Sequence, residues 1–339
     1  MSGPCVALIA DPTSPEGCRD YLAQAVELLT GTPPHRIDAR HFAPCGTGRV
    51  RDRDGVRLRL HVPDQGLEVV PDVVVLYEIP PHRRRALAAF QRLLAHHHAV
   101  TLGSGVAAWR SATEKDRTVA RFERDGVAQM DTVVLSRPGT RETAAAFERL
   151  GRDTWARPVV GTGGSDTFHV TTDAQLAEAA EYYARRRSAW LLSRDAGNVT
   201  ADGDRHQFRV FVLGGRVIHA REHIQPATDT PCNTCQGATA IPIAPPDLPR
   251  RLTELAVAAT ASMGLPFAGV DLAIENGGVV FEVNVQPAFI EGELETVAVP
   301  YIQAHLDALA QTAGGRRSRH PARGRRRGSQ VNGRSPRVA

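Results

Sequence analysis

Lysine is almost missing from this chain of 339 residues. Of its 41 lysine and arginine side chains, Lys115 is the single lysine and all the others are arginines. The two residue types are not equivalent, because lysine is a compact charge on a flexible stem and arginine is a planar fork. Two explanations stay open from this observation alone: a codon bias that left one lysine by chance, or a position whose chemistry needs an ammonium group.

Long apolar runs are missing as well. No stretch approaches the roughly 18 residues that a membrane span needs. The start of the chain, MSGPCVALIADP, has neither the basic segment nor the small-residue cleavage site of a secretory signal. We therefore expect a cytoplasmic protein that does not enter a membrane. The five cysteines, at positions 5, 18, 45, 232 and 235, are odd in number and scattered, which predicts reduced thiols.

Acidic residues are absent from the segment 314–339, which contains nine arginines. Without this segment the net charge would change from +4 to −5, so the rest of the chain is mildly acidic. A segment rich in glycine, arginine, serine and proline cannot bury a core, which predicts a disordered, solvated tail. A weak, salt-sensitive contact with nucleic acid is the alternative use of so many arginines.

The rest of the composition is that of a folded globular chain. Hydrophobic residues make up 42% and charged residues 23%, and the length allows two or three domains. Before residue 106, apolar runs alternate with amphipathic stretches, which predicts a small α/β domain with a parallel sheet. The predicted strands are 5–10, 69–80 and 99–104, and the predicted helices are 19–29 and 83–97.

A second set of elements is predicted after Lys115. Thr172 and Gln175 have the spacing of a capping box at the start of a helix. Gly214-Gly215 and Asn276-Gly277 have the composition of turns between paired strands. The predicted helices are 116–124, 140–150, 172–186, 247–263 and 298–313. The predicted strands are 131–138, 155–160, 168–171 and 190–194, followed by the hairpins 207–222 and 270–285.

The second hairpin brings acidic residues together. With a two-residue turn and no bulge, Asp271 lies directly opposite Glu282, and Asn284 shares their face of the sheet. Opposed carboxylates with Cβ atoms about 5 Å apart repel each other unless a cation compensates them. Ligands that are all oxygen favour Mg²⁺ over zinc, with Mn²⁺ as a second candidate. An exposed strand face with ordinary acids is the alternative. The residues predicted to bury the opposite face are Val270, Leu272, Phe281 and Val283.

Two further features suit phosphate binding. The segment GTGGSDT, 161–167, lies between two predicted strands, and its glycines leave backbone N–H groups free to face phosphate oxygens. It is neither a P-loop nor a dinucleotide fingerprint, and a plain hairpin loop explains it equally well. Arg209 lies within the strand QFRVFV, where a guanidinium near a metal site can hold phosphate through two hydrogen bonds. A surface arginine on an exposed strand is the alternative.

These features follow one another along the chain in an order that resembles the ATP-grasp superfamily. Residues 100–310 are most similar to the branch that contains the ribosomal-protein S6 glutamate ligase, the amino-group-carrier ligases of lysine and arginine biosynthesis, and the graspetide ligases. The segments that carry the resemblance are TEKDRT, DGVAQMDTVVLSRP, FRVFVLGGRVI and GVDLAI…GVVFEVNVQP. The resemblance implies a fold of α/β and α+β type. Its implied parts are a pre-ATP-grasp α/β domain at 1–106, a lid subdomain at 107–189, a core subdomain with the metal site at 190–313, and the tail at 314–339.

The resemblance also implies roles for individual residues. Lys115 would contact the nucleotide phosphates, which explains the lone lysine as a functional residue. Arg209 would be the catalytic residue, in contact with the γ-phosphate and the acyl phosphate. The implied Mg²⁺ ligands are Asp271, Glu282 and Asn284. The residues implied to bind the ATP are Lys115, Arg157, Gly161, Gly163, Gly164, Leu192, Ser193 and Asp195.

The chain departs from the family pattern at three points. Arg157 replaces the family's second phosphate-binding lysine, and Glu114 replaces the aspartate before the first. The substrate loop N-T-x-R-G-G of one branch appears here as NTCQGA, so Asn233 and Gln236 are expected to face the substrate without that branch's specificity. Cys232 lies just before this loop, and Cys235 lies within it. The two cysteines could form a zinc site or a redox pair, or their spacing could be a coincidence.

Together these expectations give a hypothesis of an ATP-dependent carboxylate–amine ligase that forms an amide through an acyl phosphate. Its substrate would be an amino acid, a small peptide or a biosynthetic intermediate, free or attached to a carrier or precursor peptide. We also expect a homo-oligomer. Two alternatives stay open: a graspetide-type ligase that cross-links side chains of a ribosomal peptide, and a nucleotide-binding regulator that no longer catalyses.

Overall fold

A parallel sheet forms the centre of the N-terminal region. The structure is a computed structural model, and it describes residues 3–53, 57–103 and 105–317. The strands before residue 100 are β1 (Val6–Ala10), β2 (His35–Asp38), β3 (Arg49–Arg53), β4 (Arg57–Val62), β5 (Leu67–Val69) and β6 (Val73–Leu76), and the helices are α1 (Cys18–Thr30), α2 (Pro81–Arg84) and α3 (Ala88–His96). The parallel sheet has the order β2-β1-β6, and β1 and β6 are buried along their whole length. Burial on both faces explains their continuous apolar sequence.

Two predictions for this region are wrong. The predicted strand 99–104 is reduced to a single bridge between Val100 and Val73, because Gly103 has φ +71° and turns the chain out of an extended path. The predicted strand 69–80 is shortened to β6. A small antiparallel sheet with the order β3-β4-β5, which the sequence did not predict, precedes it.

An antiparallel sheet with helices follows in the middle of the chain. Its elements are α4 (Val106–Thr113), α5 (Lys115–Asp125), β7 (Thr132–Leu135), α6 (Thr140–Arg149), β8 (Thr154–Pro158), β9 (Phe168–Val170), α7 (Asp173–Arg185) and β10 (Trp190–Arg194). The sheet has the order β7-β10-β8-β9. The predicted capping box at the start of α7 is confirmed, because Thr172 and Gln175 bond to each other's backbone N–H groups. The sequence analysis placed the boundary between the lid and core subdomains at 189/190. In the structure β10 begins at Trp190 and pairs with β7 and β8, so this boundary would separate β10 from its own sheet.

The third sheet has five antiparallel strands and carries the predicted catalytic residue, Arg209, and the three predicted metal ligands. Its elements are β11 (Arg205–Leu213), β12 (Arg216–Gln225), β13 (Thr239–Ile243), α8 (Arg250–Met263), β14 (Phe267–Ala273) and β15 (Val279–Asn284), followed by a π-helical turn (Leu294–Ala298) and α9 (Val299–Arg317). The strand order is β13-β12-β11-β14-β15. Helix α8 packs against one face of this sheet through Leu252, Leu255 and Ala259. The other face is therefore free to carry polar side chains.

The two hairpins of this sheet do not have the simple form that the sequence suggested. Gly214-Gly215 is the predicted turn, with φ of +57° and +76°. The second connection is longer than predicted, because Ala273 pairs with Val279 and the five residues 274–278 form the loop. A bulge at Phe281 then restores the register, so Asp271 still pairs with Glu282. The same bulge leaves Phe281 half-buried, whereas Val270, Leu272 and Val283 join the core as predicted.

The end of the chain is helical for longer than predicted. Helix α9 continues to Arg317, so residues 314–317 are helical and not part of a disordered tail. The remainder of that predicted tail, 318–339, lies outside the described residues. No helix among the described residues is long and apolar enough to cross a membrane.

Candidate active site

Four charged side chains form a row across the polar face of the five-stranded sheet. Arg221 lies opposite Arg209, Arg209 opposite Asp271, and Asp271 opposite Glu282. Directly opposed residues of antiparallel strands point to the same face, so the row contains two cations followed by two anions. We refer to these four residues as the charged row.

Arg209 and Asp271 form the central pair of the charged row. The Nε and Nη2 atoms of Arg209 each donate to a different carboxylate oxygen of Asp271, at 2.7 Å. Both side chains are buried, with exposed fractions of 8% and 7%. Burial alone would lower the pKa of Arg209, but Asp271 outweighs this effect and raises it. Arg209 is therefore fixed in position and always charged.

Lys115 is paired with the last member of the charged row. Its Nζ atom lies 2.9 Å from Oε1 of Glu282, and only 9% of the lysine side chain is exposed. Lys115 is the first residue of α5, and its backbone N–H donates to Val159 O at 2.9 Å, just before the glycine loop. The only lysine of the chain thus lies beside the carboxylate pair, and its contact with nucleotide phosphates, which the resemblance implied, stays a prediction.

The three predicted metal ligands come together in the structure. Asp271 and Glu282 are adjacent in the charged row, and Asn284 Nδ2 donates to Asp271 Oδ2 at 3.0 Å. The donor set consists of two carboxylates and an amide oxygen, which suits Mg²⁺. Each carboxylate has about four acceptor positions, so Asp271 and Glu282 can bind a cation without giving up all their present bonds. The residues therefore fit a divalent metal ion.

Arg221, at the other end of the charged row, is enclosed by protein groups. It is fully buried, and its Nη1 atom pairs with Glu293 at 2.5 Å. Its other nitrogens donate to Ala288 O and to Nε2 of His223. Burial and the nearby positive charges of Arg209 and Arg221 lower the pKa of His223 to about 3, so this histidine stays neutral and accepts the bond. Burial would raise the pKa of Glu293, but His219 and Arg221 outweigh it and lower the pKa.

His206 connects the two hairpins. Its Nδ1 atom lies 2.7 Å from Glu222 on β12, and its Nε2 atom lies 2.9 Å from Glu275 in the loop between β14 and β15. Burial alone would lower the pKa of His206, but the hydrogen bonds to Glu222 and Glu275 outweigh it and raise the pKa above its ordinary value. Folding therefore favours the charged form of His206 more than the unfolded chain does.

A first cleft lies between the middle sheet and the second hairpin. Arg157 on β8 crosses it, since its Nη1 atom donates at 3.0 Å to the carbonyl oxygen of Phe281, the bulged residue. Burial lowers the pKa of Arg157, and Glu282 partly offsets this effect. The apolar wall of the cleft is formed by Met130, Ala196, Val280 and Phe281. Its polar lining includes Thr132, Trp155, Arg157, Gly164, Ser193, Arg205, Asn233, Asp271 and Glu282.

The three predicted residues on and after β10 are placed differently from one another. Ser193 lines the first cleft and bonds to Thr132. Leu192 is fully buried in the core of the middle sheet, and its side chain does not line the cleft. Asp195 binds Trp155 Nε1 at 2.5 Å and Arg205 Nη1 at 2.9 Å, so its carboxylate is taken up by protein groups. Only Ser193 of the three directs its side chain to the cleft lining.

The glycine loop lies against the predicted substrate loop. Gln236 Nε2 donates to Gly163 O at 3.1 Å. A Cβ atom at Gly163 would lie 3.6 Å from the side chain of Cys235, and one at Gly164 would lie 2.9 Å from Pro231. Both glycines have positive φ, +61° and +72°, so a side chain would be strained at either position, and at Gly164 it would also clash with Pro231. Asn233 Oδ1 accepts from Cys235 N at 2.9 Å and so caps the turn that carries Gln236.

A second cleft adjoins the first on the other side of the glycine loop. Gly161, Gly163, Arg209, Glu282 and Asn284 line it, together with Asn233, which lines both clefts. The N-terminal region contributes Glu16 and Arg84 to the same cleft. Sequence reasoning missed these two residues because nothing in the local pattern of MSGPCVALIADPTSPEG or PPHRRR indicates which face would meet the core sheet.

The cysteine pair of the substrate loop does not act as a unit. Cys232 is buried, and burial raises the pKa of its thiol to about 12, whereas Cys235 is exposed. Among the described residues, the one group of three or more His, Cys, Asp or Glu side chains close enough to share a metal is Asp153, His169 and Asp195. The zinc alternative for the cysteines therefore has no support among the described ligands.

Comparisons with known proteins are consistent with this geometry. Residues 198–298 match the family model of the RimK-like ATP-grasp domain. The chain is 40% identical over 87 residues to a "Probable alpha-L-glutamate ligase" of Parasynechococcus marenigrum (strain WH8102), which is 25% of this chain and 17% of that protein. It is 33% identical over 113 residues to "Probable alpha-L-glutamate ligase 2" of Shewanella amazonensis (strain ATCC BAA-1098 / SB2B), which is 33% of this chain and 36% of that protein. The chain thus spans well under half the length of these curated relatives.

Solved structures match over nearly the whole chain. The ATP-grasp ligase PsnB complexed with its minimal precursor aligns with TM-score 0.63 and 18% identity, covering 91% of this chain and all of PsnB. D-cycloserine synthetase DcsG aligns with TM-score 0.64 and 18% identity, covering 90% and 99%. D-alanine–D-alanine ligase from Bacillus anthracis aligns with TM-score 0.62 and 13% identity, covering 93% and 99%. The predicted fold, of α/β and α+β type, is therefore confirmed.

Proposed function

We propose that this chain, which matches the RimK-like ATP-grasp domain over residues 198–298, is a member of the ATP-grasp superfamily and an ATP-dependent carboxylate–amine ligase. The observation that carries the proposal is the charged row with Lys115 beside it. It puts two cations and two carboxylates on one sheet face, beside two clefts that share Asn233 and Glu282. The four-part division of the chain, with the lid closing over the core, belongs to this proposal.

The first cleft is the proposed nucleotide site. Its apolar wall suits a base, and its inner end leads to Arg157, Asp271 and Glu282, where phosphates would lie. Lys115 and Arg157 approach from the side of the lid, and glycines 161, 163 and 164 cover the phosphates through their backbone N–H groups. A neighbouring structure, that of PsnB with its minimal precursor, contains Mg and ADP. We infer that ATP and Mg²⁺ are bound here in the same way.

Arg209 is the proposed catalytic residue. A substrate carboxylate oxygen would attack the γ-phosphorus of ATP, the bond from γ-phosphorus to the bridging oxygen would break, and ADP would leave. Arg209 is held by Asp271 at the junction of the two clefts, so it can stabilise the charge that develops on the transferred phosphoryl oxygens. Mg²⁺ held by Asp271, Glu282 and Asn284 would offset negative charge on the phosphates.

The second cleft is the proposed place of amide formation. There the nitrogen of an amine would attack the acyl carbon, phosphate would leave, and the nitrogen would lose a proton as the amide forms. The glycine loop and the substrate loop touch each other across this cleft through Gly163 and Gln236. Their contact would exclude water from the acyl phosphate, which water otherwise hydrolyses.

The test is ADP formation by the full chain with Mg-ATP and pools of amino acids or peptides. We expect ADP to form only with a suitable acid and amine, and mass spectrometry to show a product equal to the two substrates less one water. A loss of water within a single peptide would instead assign the chain to the graspetide-type alternative. Tight ATP binding without ADP formation in any pool would favour the regulator, and would contradict the proposal.

A further inference from the structure

A loop of the N-terminal region brings a carboxylate, that of Glu16, to the second cleft. In the sheet order β2-β1-β6, β1 lies between β2 and β6, so the strand order reverses at β1. In open parallel sheets, ligands bind in the crevice at such a point, outside the carboxyl ends of the strands. The loop 11–17 follows the carboxyl end of β1, and Glu16 of this loop lines the second cleft.

The loop that carries Glu16 is held on both sides of this residue. Glu78, which is buried two residues after β6, accepts from Gly17 N at 3.1 Å and from Arg19 N at 2.6 Å. It also pairs with Arg19 Nη1 at 2.8 Å. At the start of the loop, Asp11 Oδ1 accepts from the backbone N–H and the hydroxyl of the residue two positions on, at 2.9 and 2.7 Å. These bonds set the position of Glu16 at the cleft.

The carboxylate of Glu16 is available to a ligand. Among the described residues, no group donates a hydrogen bond to it or forms an ion pair with it, and the residue is exposed to the solvent of the cleft. Glu282, the other carboxylate of the lining, is already paired with Lys115. Cys235 adds a thiol to the lining, which makes it the competing candidate for a proton acceptor. Glu16 is thus the uncommitted negative charge of the second cleft.

The surroundings of Glu16 raise its pKa. Although the residue is exposed, nearby protein removes part of the water around its carboxylate, and this desolvation raises the pKa. The charged groups that act on it are Arg84 of α2 and Arg209 of β11, which partly offset the rise, and Glu78, which adds to it. Desolvation would lower the pKa of an ammonium group bound at the same place. Both shifts ease the transfer of a proton from an ammonium group to Glu16.

Amide formation needs such an acceptor. An α-amino group has an ordinary pKa of about 8 and a lysine side chain one of about 10.4, so most amines are ammonium ions at neutral pH. An ammonium nitrogen has no free lone pair and cannot attack an acyl carbon. The cations that line the second cleft, Arg84 and Arg209, cannot accept its proton. A carboxylate can attract the ammonium group by charge and then accept the proton.

We propose that Glu16 binds the ammonium group of the incoming amine and takes one of its protons, so that the free amine attacks the acyl phosphate. This inference rests on the proposed function, for which it names the group that binds the amine. The nitrogen lone pair forms the C–N bond, and the C–O bond to phosphate breaks with its electron pair on the phosphate oxygen. The second proton that the nitrogen loses passes to the departing phosphate, and Glu16 returns its own proton to solvent.

Hydroxylamine separates this step from the rest of the reaction, because it is uncharged at neutral pH and needs no proton acceptor before it attacks. The full chain and its Glu16→Gln variant receive Mg-ATP, the pools of amino acids and peptides as acids, and either hydroxylamine or a pool of primary amines. Glu16→Gln should lower amide formation near neutral pH about a hundredfold and leave hydroxamate formation unchanged. Glu27→Gln, at an exposed acid of α1, is the control and should change neither.

A pH series gives a second readout, which a structural role of the loop would not move. As the pH approaches the pKa of the amine, more of the amine is free in solution, so the deficit of Glu16→Gln in amide formation should shrink. Glu16→Asp keeps a carboxylate at the same place and should recover part of the amide rate.

Three results would overturn the inference. The first is a fall of amide and hydroxamate formation in the same proportion, and the second is a deficit that does not change with pH. The third is undiminished amide formation in Glu16→Gln, which together with a loss in Cys235→Ser would assign the proton to the thiol. Failure of the proposed function is distinguishable, because the unaltered chain then forms no ADP with hydroxylamine or amines in any pool, and the inference fails with it.

Discussion

Each of the two hairpins of the five-stranded sheet contains a β-bulge, and the two bulges have opposite effects on the pairing of charged residues. In the first, an extra residue, Ile218, shifts the register so that Arg209 faces Arg221 and not Ala220. In the second, the bulge at Phe281 compensates a longer loop, so that Asp271 faces Glu282 as a simple hairpin would have it. The bulge at Ile218 thus creates a pair that a simple hairpin register would not predict. The bulge at Phe281 preserves the pair that such a register does predict.

The comparison also separates structural from functional charge. Arg221 of the first hairpin is fully buried and bonded to Glu293, Ala288 and His223. The acids of the second hairpin lie beside both clefts and are compensated by Arg209 and Lys115. We therefore expect changes in the second hairpin to affect catalysis first, and changes at Arg221 to affect stability first.

The largest effect is expected at the acids of the second hairpin. Glu282→Gln should lower the rate of ADP formation by about a thousandfold or more, because a metal site of this kind supplies several kcal/mol to the transition state. A coupled assay of ADP release with circular dichroism as the check of folding measures it. The control is Glu291→Gln, an exposed acid outside both clefts. Near-normal turnover in a folded Glu282→Gln protein would remove the metal assignment.

Substitution of Arg209 should lower activity, whereas substitution of Arg221 should lower stability. Arg221→Met leaves the carboxylate of Glu293 buried without its arginine partner, so we expect a loss of about 3 kcal/mol in the free energy of unfolding. Arg209→Lys keeps a charge beside Asp271 but loses the two-bond geometry, so kcat should fall about tenfold with the fold intact. Urea unfolding and ADP release, measured on both variants, give the comparison. If both variants lost stability and activity in the same proportion, the division between structural and functional charge would be wrong.

Lys115→Ala tests the cation that approaches the second hairpin from α5. Losing a charge-assisted hydrogen bond of about 1.5–3 kcal/mol should weaken binding of a non-hydrolysable ATP analogue about tenfold to a hundredfold. Calorimetry measures the affinity. Arg124→Ala, an exposed cation on the same helix, is the control. Unchanged ATP-analogue affinity in the Lys115→Ala protein would favour codon bias as the explanation of the lone lysine.

His206, which joins the hairpins, predicts a dependence of stability on pH. Its folded pKa is raised above the ordinary 6.5, so the charged histidine stabilises the folded state fully below about pH 6.5 and loses this contribution as pH rises through the higher folded value. The difference in unfolding free energy between wild type and His206→Gln should therefore be larger at about pH 6 than at about pH 9. Urea unfolding at both pH values measures it, with His82→Gln, an exposed histidine, as the control. A difference that grows with pH would contradict the bridge.

The smallest effect is expected at the turns, where the two hairpins should behave alike. Gly215 and Gly277 both have φ +76°, with open space where a Cβ atom would lie. Alanine at either position should lower the free energy of unfolding by about 1 kcal/mol, because the strain comes from the backbone alone. Gly139→Ala, at negative φ and also in open space, should change it much less. Unequal losses in the free energy of unfolding would show that one of the two glycines has a role beyond avoiding backbone strain.

The sequence was sufficient where one local pattern determines the structure. The capping box at Thr172, the turn at Gly214-Gly215 and the meeting of Asp271, Glu282 and Asn284 all follow from short spacings. In the second hairpin the pairing of Asp271 with Glu282 was predicted correctly from a wrong premise. The predicted turn was too short, and the unpredicted bulge at Phe281 compensates the difference. A bulge depends on how side chains pack across the sheet, and no spacing within one strand encodes it.

The sequence was insufficient where distant segments meet. Glu16 and Arg84 reach the second cleft only because the N-terminal region packs beside the core sheet, and Glu114 attracts three arginines from three helical segments. Leu192 and Asp195 were placed by resemblance, and although their part in nucleotide binding stays a prediction, the sequence did not indicate that their side chains lie in the core of the middle sheet and against Arg205. Such contacts are set by tertiary packing, which a pattern of local periodicity does not report.

The pairing of Arg209 with Asp271 and of Lys115 with Glu282 has a consequence for the order in which ligands arrive. Before any ligand enters, the carboxylates are already neutralised by the protein's own cations, so a free divalent ion must compete with them. If the clefts bind Mg-ATP as proposed, Mg²⁺ that arrives together with ATP would meet less of this competition, because the phosphate oxygens would offer Arg209 and Lys115 new acceptors in exchange. Under the proposed function, binding of metal and of nucleotide would therefore be thermodynamically coupled, each raising the affinity for the other. Such a site would discriminate against metal alone through the pairs that Arg209 and Lys115 already form with its carboxylates.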